Sequence, residues 1–211
     1  MEEIIAKGAE SVIYRTKFFS LDAVAKDRIP KGYRHKEIDL ELRAARTKAE
    51  AKLMHAARIA GVSVPLIYDV EEFKIVMEYI DAKNLKNRIT SMDLEEKIEV
   101  LGMIGENVAR LHRNNIVHGD LTTSNMILHS GKLYFIDFSL GEKTASIEAK
   151  GVDLHLLQEA FLSAHAENFE MFDVILKAYA RNYTDAPAVI ARMYEIALRG
   201  RGHSKESRRK N

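Results

Sequence analysis

Cysteine is absent from the 211-residue chain. That excludes a disulfide framework, a thiolate-bound zinc or iron–sulfur centre, and a cysteine nucleophile. Long apolar runs are absent too: none approaches the roughly 18–20 residues that span a bilayer, and the opening MEEIIAKGAE carries no signal-peptide pattern. There is no Gly-x4-Gly-Lys-Ser/Thr loop; Gly131-Lys132 is followed by leucine and reads as hairpin closure. The eight histidines form no pair with zinc-site spacing and a supporting acid. Internal repeats and long low-complexity linkers are also missing. These absences lead to the expectation of a soluble, intracellular, cytoplasmic protein. What is present, 46% hydrophobic and 30% charged residues, is the content of a globular chain. The length suits one domain or one domain of two small lobes.

Net charge is small, with 32 Lys+Arg against 31 Asp+Glu, but the charges are unevenly placed. From Arg199 to Asn211 there are six Lys/Arg against the single acid Glu206, so the tail is +5 and the rest −4. Lys26–Arg58 holds ten Lys/Arg against five Asp/Glu. Such clusters suit phosphate backbones or an acidic partner, and equally a solvated terminus and helix face.

The first 80 residues read as a small sheet with one long helix. Ile4–Ala6 and Val12–Tyr14 form an expected hairpin around Gly8, and a further strand lies in Phe18–Lys26. After Pro30 and Gly32, the spacing of Leu42, Ala45, Ala49, Leu53, Ala56 and Ala60 predicts a helix over Glu37–Ala60, closed by Gly61 and Pro65. Pro65–Asp69 and Lys74–Tyr79 read as two more strands. The remainder is mostly helical. Asp93 with Glu96 suggests a capping box ahead of a helix facing the core through Ile98, Leu101, Ile104, Val108 and Leu111. Met126–Leu128 and Leu133–Ile136 are short strands about Ser130-Gly131. Helices are expected over Val152–His165, Phe169–Tyr183 and Ala188–Leu198, whereas Gly200–Asn211 lacks apolar content of its own. The domain plan is 1–80, 81–199 and a basic tail, 200–211.

The segment His118-Gly119-Asp120-Leu121-Thr122-Thr123-Ser124-Asn125, followed by Ile136-Asp137-Phe138, carries chemistry. A carboxylate, an amide five residues on and a second carboxylate after a hairpin suit phosphoryl transfer. Asp120 can orient or deprotonate an attacking hydroxyl. Asn125 and Asp137 are hard oxygen donors suited to Mg2+ on a nucleotide.

On these residues the chain resembles the protein-kinase superfamily, which implies an α+β, two-lobed fold: a small β-rich N-lobe with one long helix and a reduced, mostly helical C-lobe. Further landmarks follow in order. Ala6-Lys7-Gly8-Ala9-Glu10-Ser11-Val12-Ile13 resembles a phosphate-covering hairpin that keeps one glycine of three. Val24-Ala25-Lys26 resembles the strand whose lysine contacts the nucleotide phosphates, with Glu50 as its candidate partner on the helix. Met77-Glu78-Tyr79-Ile80 resembles the hinge that pairs with adenine. Asp153 in Val152-Asp153-Leu154 resembles the aspartate that braces the catalytic loop; a first-turn helix acid is the other reading.

Departures narrow the resemblance. Gly119 stands where the catalytic loop usually has arginine, and Ser139 where Asp-Phe-Gly ends in glycine. Only 16 positions separate Asp137 from Asp153, and no Ala-Pro-Glu follows, so the usual peptide platform is missing. With Thr122-Thr123-Ser124-Asn125, the reduced Gly8-Ala9-Glu10 loop and Arg199-Gly200-Arg201, the chain resembles the small atypical kinases of the KEOPS complex, the p53-related protein kinase family. That family's tail is more uniformly basic; Gly202-His203-Ser204 interrupts it here. The resemblance implies an ATP- and Mg2+-dependent serine/threonine kinase and ATPase that supports threonylcarbamoyl-adenosine formation in tRNA. Its partners would be the threonylcarbamoyl transferase and other KEOPS subunits, with tRNA reached through the tail and the basic helix. It implies Asp120, Lys26 and Glu50 as catalytic residues. Ala6, Lys7, Gly8, Ala9, Glu10, Ser11, Ile13, Lys26, Met77, Glu78 and Ile80 would hold nucleotide, with Asn125 and Asp137 holding the metal. A RIO-like kinase of ribosome maturation and a nucleotide-holding scaffold are the competing expectations.

Overall fold

The computed structural model describes residues 3–207. Glu3–Lys7 (β1) and Ser11–Phe18 (β2), each carrying a short β-branched run, pair antiparallel, and β2 runs antiparallel to Leu21–Arg28 (β3). Ile67–Val70 (β4) and Lys74–Glu78 (β5) complete a five-stranded antiparallel sheet ordered β1-β2-β3-β5-β4. The register sets Lys26 opposite Ile13 on one side and Ile75 on the other. The lysine expected on this strand therefore sits in the sheet's interior row.

Between β3 and β4 lies Lys36–Ile59 (α1), ended at Gly61, whose φ of 81° needs the freedom of glycine. The expected apolar stripe of α1 holds only in its second half, where Leu53 is buried and Ala56 and Ala60 pack against the core. Leu42 is 37% exposed, Ala45 and Ala49 are not buried either, and the buried face is Thr47, Glu50, Leu53, Met54 and Ala57. The sheet offers α1 the buried cations Lys26 and Arg28. The contacting stripe must therefore be polar in its first half, which a search for apolar periodicity passes over.

The second half is helical. Leu94–Arg113 (α2) is capped by Asp93, whose carboxylate accepts the Glu96 amide at 2.9 Å. Leu101, Ile104, Val108 and Leu111 face the core, but Ile98 is 47% exposed, so its expected place there is wrong. Helix α2 crosses Phe172–Asn182 (which becomes α4) at Gly105, where a Cβ would stand 2.3 Å from the Ile175 carbonyl oxygen. Short strands Ile116–Val117 (β6), Met126–His129 (β7), Lys132–Phe135 (β8) and Glu142–Lys143 (β9) form two antiparallel pairs, β6 with β9 and β7 with β8. Ile147–Ala164 (α3) starts five residues before the expected Val152, because Ser146 caps it by accepting the Ala149 amide. A 3-10 stretch, Ala166–Met171, takes the first part of the helix expected from Phe169 and leads into α4. The last helix, Ala186–Ser207 (α5), carries on through Gly200–Ser207, which the sequence leaves without structure; Arg208–Asn211 lie outside the described residues. Among the described residues no helix is long and apolar enough to cross a membrane. The main core runs from Leu53 and Met54 under the sheet to Phe161, Tyr179 and Met193 in the helices, so it joins the two halves.

Candidate active site

Four segments converge where the sheet meets the helical half. From β3, the Lys26 ammonium donates to Glu50 Oε1 at 2.6 Å, to Asp137 Oδ1 at 2.8 Å and to Ser139 Oγ at 2.7 Å. Lys26 and Glu50 are 4% and 1% exposed, so each depends on opposite charge around it to stay buried. A second cation, Arg28, follows on the same face of β3 by the two-residue period of a strand. Its Nη2 donates to Glu50 Oε2 at 2.5 Å.

Asp137 takes a left-handed φ of 64°, a conformation costing on the order of 1–3 kcal/mol that its surroundings must offset. Lys26 and Ser139 supply the compensation: Ser139 donates its hydroxyl to Oδ1 at 2.5 Å and its amide at 3.3 Å. Burial pushes the Asp137 carboxyl up, but the Lys26 charge and these hydrogen bonds outweigh it and bring the pKa down to about 2. All of these bonds fall on Oδ1, which leaves Oδ2 outside them as an oxygen donor for a ligand.

The other half of the site is the loop after β6. Asn125 donates its side-chain amide to the Asp120 carbonyl at 3.0 Å and carboxylate at 2.8 Å, which leaves the side-chain carbonyl oxygen of Asn125 outside these bonds. The Ile136 amide donates to the Asn125 backbone carbonyl at 3.0 Å, tying this loop to the Asp137 loop. Asp153 is buried inside α3 rather than at its first turn. Its carboxylate accepts the His118 and Gly119 amides at 2.8 Å each. Behind it, His112 Nε2 lies 3.2 Å from Asp153 Oδ2, and Nδ1 lies 2.8 Å from the Tyr179 hydroxyl. Burial raises the Tyr179 pKa, so the phenol keeps its proton. His118 stays neutral because burial lowers its pKa against the pull of Asp153, Asp137 and Asp120; its Nε2 donates to the Ile136 carbonyl at 3.1 Å.

Gly119 has φ 79°, and a Cβ there would lie 2.1 Å from the Leu140 carbonyl oxygen. The glycine in the arginine position is therefore a packing requirement of the Asp137 loop. The short connection from Asp137 is used up by a turn closed from the Gly141 amide to the Phe138 carbonyl, by β9 against β6, and by the cap of α3.

The β1–β2 hairpin precedes this cluster in sequence order, with Ala6 opposite Ile13, Lys7 opposite Val12, and the Gly8 amide donating to the Ser11 carbonyl at 2.9 Å. Lys31 holds the Ala9 carbonyl. Glu10 is turned to the cations of α1 and its approach, accepting Arg46 at 2.5 Å and Arg34 at 3.4 Å; the Arg46 hydrogen bond lowers its pKa against burial. Of the hinge residues, Met77 and Ile80 are buried. Glu78 is tied to Leu66 twice: its side chain accepts the Leu66 amide at 3.1 Å and its own backbone amide donates to the Leu66 carbonyl at 2.8 Å. Arg28 and the His112–Tyr179 brace escaped the sequence reading. The two-residue spacing from Lys26 could have signalled the first; nothing local signals the second.

A family profile described as the RIO domain matches residues 11–152. The KEOPS complex subunit Bud32 of Pyrococcus abyssi is 43% identical over 210 residues, covering 94% of this chain and 96% of that protein. A probable bifunctional tRNA threonylcarbamoyladenosine biosynthesis protein of Methanosarcina mazei is 45% identical over 200 residues, and the match spans 35% of its length. Among solved structures, the Rio2 kinase–ADP/Mg2+–phosphoaspartate complex of Chaetomium thermophilum aligns with TM-score 0.65 and 15% identity, over 90% of this chain and 69% of that one. WaaP, solved with acyl carrier protein, aligns with TM-score 0.68 and 15% identity, over 94% and 88%. At that identity the two structures show a shared fold: a sheet-rich N-terminal half joined to a helical C-terminal half.

Proposed function

The chain belongs to the RIO-domain family, in the branch of the small atypical kinases of the KEOPS complex, and on that premise we propose that it is an ATP-dependent phosphotransferase with ATPase activity. In this reading it supports threonylcarbamoyl-adenosine formation in tRNA by acting on a transferase partner in the cytoplasm. One observation carries the proposal: Lys26 is bonded to Glu50 at 2.6 Å and Asp137 at 2.8 Å, while Asn125 is bonded to Asp120 at 2.8 Å. A phosphate-binding cation, two hard oxygen donors and a candidate base are thereby held by one hydrogen-bonded framework.

Lys26, fixed by Glu50, would orient the nucleotide phosphates, and Asp120 would orient the attacking oxygen. The hairpin residues Ala6 to Ser11 and Ile13 would cover the phosphates, and the backbone of Met77, Glu78 and Ile80 would meet the base. The Asn125 side-chain carbonyl and Asp137 Oδ2 are hard donors that fit Mg2+, which when bound would neutralise phosphate charge. The 16 positions from Asp137 to Asp153 leave no peptide platform, so water or a nearby Ser/Thr hydroxyl is the fitting acceptor. Residues 1–80 and 81–199 serve as the two lobes. The exposed basic residues of α1, Lys36, Lys48, Lys52 and Arg58, and the basic 200–211 tail would be what tRNA and partner subunits meet.

The test is phosphate release from ATP with and without the threonylcarbamoyl transferase. Asp120→Ala should cut turnover by about 10²-fold or more while nucleotide affinity stays near wild type. Equal turnover in the variant overturns the role of Asp120. Nucleotide binding by the wild type without any phosphate release favours the scaffold instead.

A further inference from the structure

His165 follows the last residue of α3 and has no exposed surface; its ring packs 5.2 Å from that of Phe161. Its Nε2 lies 3.2 Å from Oγ1 of Thr123, a side chain 1% exposed. Its Nδ1 is buried with no hydrogen-bond partner. Whichever nitrogen carries the proton, one polar atom of the ring goes unmatched, a cost that an apolar residue in this cavity would not incur. What the imidazole supplies in return is the bond to Thr123. Burial lowers the pKa of His165, Lys86 and Lys97 add to that, and Glu167 opposes it, so the ring is neutral.

Thr123 stands midway between Asp120 and Asn125 and opens the 3-10 turn Thr123–Asn125. The loop is anchored before this point by Asp153, through the His118 and Gly119 amides, and after it by the Ile136 amide on Asn125. Between these anchors, the Thr123–His165 bond ties the turn to the end of α3. Asp120 and Asn125, joined directly by the Asn125 amide at 2.8 and 3.0 Å, flank the turn on one short loop, so a shift at Thr123 would move the pair relative to Lys26 and Asp137.

We propose that His165 is a positioning residue for phosphoryl transfer: its imidazole, bonded to Thr123, sets where the hydrogen-bonded pair Asp120 and Asn125 stands. The proposal rests on the phosphoryl-transfer reading above. Misplacement of reacting groups by about 1 Å costs on the order of 10²-fold in rate, so a brace of this kind acts on kcat.

The experiment uses the full chain with its transferase partner and ATP. Thr123→Val, which is isosteric, and His165→Phe should each lower kcat by about 10- to 100-fold with the KM for ATP within about twofold of wild type. Thr123→Ser, which keeps the hydroxyl, should restore kcat to within about twofold, and the double variant should be no slower than the slower single one. A role in packing alone would lower the melting temperature and leave kcat of the folded protein unchanged. Wild-type kcat in folded Thr123→Val, or an equal loss in Thr123→Ser, overturns the proposal. Should His165→Phe fail to fold, the two Thr123 variants decide. Should the wild type release no phosphate, the phosphoryl-transfer reading has failed separately. Amide exchange over 120–125 then reads the brace, and rates in Thr123→Val equal to wild type overturn it.

Discussion

Glu50 holds Arg28 at 2.5 Å on one carboxylate oxygen and Lys26 at 2.6 Å on the other. One carboxylate, 1% exposed, thus compensates two buried cations and links the β3 strand to α1. Ser139 Oγ stands 3.3 Å from the same carboxylate, which brings the Asp137 loop into the arrangement. The spacing of strand, helix and loop is therefore set by electrostatics as much as by apolar packing.

Glu50→Ala removes the shared carboxylate and strips a buried ammonium and a buried guanidinium of their common partner. The expected loss is about 3–5 kcal/mol of unfolding free energy, measured by urea denaturation. Arg28→Met should cost clearly less, because Glu50 then keeps Lys26. A Glu50→Ala protein as stable as wild type would show that neither cation depends on it.

Gly119→Ala forces a Cβ to 2.1 Å from the Leu140 carbonyl oxygen at a φ of 79°. The clash is with backbone, so the Asp137 loop must move. A loss of about 2 kcal/mol or more is expected, together with impaired ATP turnover. A Gly119→Ala protein with an unchanged melting temperature would contradict the packing seen at Leu140.

The pH dependence follows from Asp137, whose pKa falls from the ordinary 3.8 to about 2 in the folded protein. A depressed carboxyl pKa contributes stability that is full above about pH 4 and is lost as the pH falls toward 2. The side chain is 38% exposed, so solvent screening reduces its share to about 1 kcal/mol or less. Wild type minus Asp137→Asn, measured by denaturation from pH 5 to pH 2, should shrink across that window. A difference that stays constant with pH would place the charge coupling elsewhere.

Much of the fold is legible in local pattern. The β1–β2 hairpin around Gly8, the stop of α1 at Gly61 and the cap of α2 at Asp93 each follow from short-range chemistry, and each is where the sequence puts it. The inward face of α1 is not legible that way. Its burial of Thr47 and Glu50 answers charges on a strand some twenty residues earlier, and periodicity rewards apolar residues alone. The early start of α3 depends on Ser146 and on how directly the chain returns from β9, which no hydrophobic repeat records.

The sequence by itself determined the chemical types available: Lys26, Asp120, Asn125 and Asp137 in an order and spacing that suit phosphoryl transfer, with only 16 positions from Asp137 to Asp153. Only the tertiary structure decided which groups meet. Glu50 rather than another helical glutamate takes Lys26, Arg28 joins it, Asp153 holds the His118 and Gly119 amides with His112 and Tyr179 behind it, and His165 reaches Thr123. These are contacts between residues 22 to 67 positions apart in the chain. Their free energy comes from pairing buried charges and polar groups that only the packed core removes from water, so no local pattern encodes them.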